Sequence, residues 1–286
     1  MSSVGNMKKG IAPLTVLLII VALGALSALY FHFGVGENVN YEVEGEGQWV
    51  IVAINEVENA KRMSKDVLLF ATYQGIYDLG KNGGAIPANE KVYWVKLDQE
   101  LYPDELAFKS NLQQIIETRL NHMIDSSIEY SVGKVETKLS YFTLNPITID
   151  SNQLTVSVVS KSAITASSDI ATVSSTFATD RTIDTKIFRL YELGKAVIPE
   201  LKDYIKGKKT QDEINSALAS LKIKKDSDYS SENIESEFVL SSLGQNSVEI
   251  LVKLTDKNRK YPIFDSAEGK SKYDFISLEF FVSYKI

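Results

Sequence analysis

The sequence predicts an α+β domain carried behind one apolar helix, and three observations point to it. No charged residue occurs between Gly10 and Gly36. Apolar side chains recur at three- and four-residue steps over residues 48–79 and 104–124, the spacing of helices that bury one face. Alternation marks the C-terminal segments, most cleanly where Ile276, Leu278, Phe280, Val282, Tyr284 and Ile286 share one face. Long helices packed on an antiparallel sheet follow from that mixture.

The uncharged run comes first. A helix over residues 11–31 rises roughly 30 Å at ~1.5 Å per residue, the thickness of a bilayer's hydrocarbon core. Lys8 and Lys9 immediately precede it and hold residues 1–10 on the cytoplasmic side. The run 11–33 then reads as a single-pass signal anchor in the cell membrane, with the lipid bilayer as its partner and the rest of the chain extracytoplasmic. A secretory signal peptide cut before Ala28 competes, but apolar residues continue past that point through Leu29, Tyr30 and Phe31. Residues 34–47, spaced by Gly34, Gly36, Gly45 and Gly47, form a linker, and residues 48–286 form the head.

Within the head, Ala53, Val57, Ala60, Ser64, Val67 and Ala71 make a seam of small and apolar side chains on the first helix. Glu56, Glu58, Lys61, Arg62, Lys65 and Asp66 are assigned to its opposite side. The seam receives either the head's own sheet or a neighbouring protomer. Glycines at 80, 83 and 84 stop this helix. A short strand over 91–97 follows, and then the second helix, with Leu106, Leu112, Ile115, Ile116, Leu120 and Met123 at helical spacing. Strands occupy residues 130–181. In residues 155–185, 14 of 31 positions are Ser or Thr, which suits solvated strand faces and would also accept O-linked sugar. A third helix over 184–206 carries Pro199 as a bend point, and a fourth over 211–221 precedes the final strands.

Composition narrows the chemistry. The chain has 31 Lys and Arg against 37 Asp and Glu, and removing the first 36 residues takes away only Lys8 and Lys9. The outer part therefore carries −8, which argues against a nucleic-acid partner. Without cysteine there are no disulfides and no thiolate metal sites. The two histidines, His32 and His122, lack the paired spacing of a zinc site. Ser126 and Ser127 have no evident base nearby in sequence, and no cofactor motif is present. One acidic segment resembles a calcium loop in spacing: Asp226, Asp228, Ser230, Glu232 and Glu237 stand at positions 1, 3, 5, 7 and 12. Ser231 occupies the position where glycine would allow the sharp turn, so a solvated acidic connection before Phe238 competes with a metal site.

The run Met7-Lys8-Lys9-Gly10-Ile11-Ala12-Pro13-Leu14, leading into the apolar stretch, resembles the leader of archaeal type IV pilin-like (class III) proteins. The resemblance implies cleavage by a prepilin peptidase between Gly10 and Ile11, with Lys8 and Lys9 as the basic pair. Residues 73–84 resemble a segment of membrane-anchored archaeal proteins of no assigned activity. The expected function is a membrane-anchored extracytoplasmic protein whose head is structural or binding, not catalytic. Its head would act through self-association or contact with another envelope protein. A pilin-like filament or pseudopilus subunit is the first alternative, although glycines at 34, 36, 45 and 47 interrupt the helix that such subunits continue into the head. A carboxylate-dependent extracytoplasmic enzyme is the second.

Overall fold

The computed structural model describes residues 47–86, 90–125, 129–265 and 269–285. The basic leader, the apolar run 11–33 and residues 34–46 lie outside the described residues, as do Ser126, Ser127 and Ile286. Among the described residues no helix is long and apolar enough to cross a membrane.

Helix α1 covers Gly47–Lys81, a rod of about 50 Å at ~1.5 Å per residue. Its end is a Schellman stop. Gly83 takes φ +57°, its N–H reaches Gly80 O at 3.2 Å, and Gly84 N–H reaches Leu79 O at 2.9 Å. Strands β1 (Tyr93–Lys96) and β2 (Gln99–Glu100) follow, then helix α2 (Glu105–Asp125). Asp104 caps α2 by accepting the Ala107 N–H at 2.7 Å. Eight short strands come next: β3 (Glu129–Val132), β4 (Val135–Lys138), β5 (Phe142–Leu144), β6 (Thr148–Ile149), β7 (Gln153–Ser160), β8 (Ile164–Ser167), β9 (Thr172–Ser175) and β10 (Ala178–Asp184). Helix α3 (Ile187–Ile205) runs on through Pro199, and α4 (Gln211–Asp228) opens on a capping box of Thr210 and Glu213. Strands β11 (Ile234–Leu243), β12 (Ser247–Asp265) and β13 (Lys270–Lys285) close the fold.

The strands form three sheets: β11-β12-β13-β1-β2, β10-β7-β5 with β6 also on β7, and β3-β4-β8-β9. All pairs are antiparallel except β1, which lies parallel to β13. The α+β class is as expected, with that one amendment to a purely antiparallel sheet. A strong side-chain contact accompanies the parallel pair: Trp94 on β1 stacks on Phe280 of β13 with ring centroids 3.9 Å apart and planes 11° from parallel. β13 lies between β12 and β1, so its apolar row is covered, and its backbone is paired on both sides around Phe281 and Val282. Ile276, Leu278, Phe280, Val282 and Tyr284 are buried together with Ile250, Val252 and Leu254 of β12.

Three sequence expectations need correction. Leu106, assigned to the apolar stripe of α2, is 78% exposed, whereas Phe108 beside it is fully buried. Glu56, assigned to the charged side of α1, is buried. Helix α4 continues seven residues beyond Leu221. No apolar period announces those two turns. They are held by Lys225, whose buried ammonium pairs with Glu200 at 2.6 Å and Asp228 at 3.2 Å, and by Lys222 paired with Asp226.

Candidate functional site

The acidic segment is the first place to look, and the helix explains why it is not a loop. Asp226 and Asp228 stand two positions apart on α4, and side chains at that spacing do not face each other. Asp226 instead accepts both the backbone N–H and the hydroxyl of Ser236 at 2.7 Å, satisfying the outer edge of β11. Ser230 sits in a single 3-10 turn and donates to Ser227 O. Glu232 forms a forked pair with Arg189, at 3.0 Å from Nε and 2.9 Å from Nη2. Glu237 projects from β11. Among the described residues no group of three or more His, Asp or Glu side chains is placed to hold a metal ion. The five oxygens are therefore not brought together; each belongs to a structural contact or to solvent. His122 is exposed on α2. Lys8, Lys9, Gly10 and Ile11 fall outside the described residues.

The α1 seam resolves inside the chain. Ala53 and Val57 meet Val135 of β4 and Ala166 of β8, while Ala60, Leu68 and Ala71 enter the main core. Leu68 takes the buried position assigned to its neighbour Val67, which is half-buried.

Two of the concave surfaces among the described residues are bordered by β12 and β13. On the open face of the main sheet, a cleft of about 330 Å³ brings together Lys81, Lys222, Lys253 and Lys257 with Glu235, Glu237 and Asp274. Its cations are matched by carboxylates: Lys81 and Lys253 meet Glu279 at 2.5 and 3.5 Å, and Lys257 meets Glu235 at 2.7 Å. Lysines and carboxylates both line the cleft, so it presents no surface of a single charge sign. Further along the same sheet Lys91 and Tyr93 both bond Glu249, and that bond, with partial burial, raises the Tyr93 hydroxyl to about 12.

The second surface is apolar and more distinctive. Strands β12 and β13 break register between Thr255 and Lys260 and continue as a two-stranded arm, Lys260 to Asp265 against Phe275 to Lys270. The arm lies across α1. Tyr261 packs on Tyr73 at 5.2 Å between centroids and donates its hydroxyl to Asp184 O at 2.6 Å. Burial raises that hydroxyl to about 12. The Phe264 N–H donates to Gln74 Oε1 at 2.8 Å, Gln74 Nε2 donates to Asp78 at 2.8 Å, and Arg119 Nε of α2 donates to Asp78 at 2.8 Å. This chain of bonds fastens arm, α1 and α2 around a groove of about 310 Å³ lined by Val67, Phe70, Met123, Pro262, Ile263 and Phe264. Phe70 and Phe264 are each about half exposed, at 48% and 49%. A rigid frame holding two accessible phenyl rings suits recognition of an apolar side chain. Sequence reading missed it because its walls come from residues 67–74, 123, 262–264 and 271, and no local period links them.

Comparison of the chain with protein-family models, with curated proteins and with solved structures finds no match.

Proposed function

We propose that this chain is a single-pass membrane protein whose head works by binding on the extracytoplasmic side. The observation that carries the reading is the uncharged apolar run 11–33 behind Lys8 and Lys9, joined by only thirteen residues to the start of α1. The groove between Phe70 and Phe264 supports the binding half of the reading, with an apolar segment of an envelope protein as the class of ligand. Cleavage of the leader after Gly10 is the second reading, supported by the Met7–Leu14 run, and it makes the chain a pilin-like filament or pseudopilus subunit.

Intact mass and N-terminal sequencing of the chain from native membranes test both. A start at Met1 or Ser2 supports the static anchor, and Ile11 supports prepilin-type processing. A start at Ala28 removes the anchor and ends both readings. For the groove, Phe264→Ser should abolish capture of the envelope partner while leaving the fold intact, because the ring is half exposed. Unchanged capture would move binding elsewhere on the head.

A further inference from the structure

One end of the head gathers exposed apolar side chains. Val50, Ile51 and Ile54, on the first two turns of α1, are 36%, 61% and 46% exposed. The β3–β4 turn abuts the same turns: a Cβ built on Gly133 would stand 3.5 Å from the Trp49 ring, and Lys134 Nζ lies 5.8 Å from its centroid. Val132 precedes that turn and is 43% exposed. The pairing of Glu136 with Ser167 brings the β8–β9 turn to this end too, with Ile170 45% exposed. Three chain segments far apart in sequence thus each place an aliphatic side chain in solvent around a half-buried indole. A cluster of this kind on a folded domain marks a contact surface.

We propose that this tip rests in the interfacial layer of the bilayer, with Trp49 at headgroup depth and Ile51, Ile54 and Ile170 against the acyl boundary. The proposal rests on the membrane-anchored reading. The occupant follows from what precedes α1 in the chain: α1 begins at this tip, and fourteen residue steps at ~3.6 Å each keep Gly47 within about 50 Å of Phe33 on any path. The far end of α1 lies about 50 Å from this tip along the rod. Tryptophan and aliphatic side chains beside a lysine are the chemistry of an interfacial contact. Glu42, Glu44 and Glu46 lie immediately upstream of α1, so the attraction is apolar and needs no anionic lipid.

The chain has no native cysteine, so single labelling sites can be introduced cleanly. The full-length protein is reconstituted in zwitterionic phosphatidylcholine vesicles with a spin label at Ile20→Cys, Ile51→Cys or Asn215→Cys, the last an exposed site on α4. Collision rates with oxygen and with a water-soluble nickel chelate are then measured. The expected result is a loss of nickel collisions and a gain of oxygen collisions at 20 and 51 relative to 215. If 20 is lipid-exposed and 51 is as water-accessible as 215, the anchor stands and the tip contact is overturned. If 20 is also aqueous, the membrane reading itself fails. Shielding of 51 from both reagents, with spin–spin broadening relieved by unlabelled chain, assigns the tip to a second copy and equally overturns the lipid contact.

Discussion

The two halves of α1 are one continuous helix in two different environments. From Ser64 to Leu79 it threads the main core, and its glycines let neighbouring elements approach: a Cβ on Gly75 would sit 2.6 Å from Ile116, and one on Gly80 would sit 2.0 Å from Ser277 O. From Trp49 to Val57 it supports only a small sheet through Ala53, Val57, Val135 and Ala166. The C-terminal half is locked by close contact with Ile116 of α2 and the backbone of β13; the N-terminal half rests on Ala53 and Val57 against Val135 and Ala166. Stability along one secondary-structure element is thus set by what packs on it, and the weaker half is the one that faces the proposed membrane.

The largest effect expected is at the locked end. Gly80→Ala forces α1 away from the β13 backbone and should cost about 3 kcal/mol, read by urea unfolding of the head. A cost under about 1 kcal/mol would mean that α1 can shift and the contrast is weaker than described. Next is Val57→Ala at the other end, which should cost about 1–2 kcal/mol. Hydrogen exchange should then accelerate in β3, β4, β8 and β9 while β12 and β13 keep their protection. Acceleration spread over all three sheets would make the head one cooperative unit.

A pH series sharpens the picture for the main core. Arg189 holds the Glu232 carboxyl below its usual range, and that hydrogen bond outweighs the burial that pushes it up. A depressed folded-state value means the pair stabilises fully above the unfolded carboxyl value, and the contribution is lost as pH falls through the folded one. Wild type and Arg189→Ala should differ most above about pH 5 and converge as the carboxyl protonates. A constant gap down to low pH would assign Arg189 a packing role alone. The smallest effect is expected for Glu129→Gln, because Glu129 and Lys138 are both about two-thirds exposed; the change should stay within about 0.5 kcal/mol.

Local physics made much of this fold legible. The α1 seam placed that helix to within two residues at its C-terminal end because small side chains recur wherever another element comes close, and the alternation in β13 identified its buried row from Ile276 to Tyr284. Long-range pairing was not legible. The parallel β1–β13 contact joins Trp94 to Phe280, and nothing within either segment announces the other. Glu56 and Leu106 were misassigned because a helical wheel shows a face but not the extent of what packs on it. The acidic spacing at 226–237 suggested convergence only if the chain were a loop; charged residues with good helix propensity extended α4 instead. The apolar groove needed three distant segments, so only the folded chain displays it.

Protease digestion of sealed, right-side-out membranes carrying the full chain tests the central claim most directly. The account predicts that external protease removes the head and leaves a membrane-embedded fragment containing residues 11–33. A head protected until the membrane is broken, or a full-length chain recovered in the soluble fraction, would contradict it.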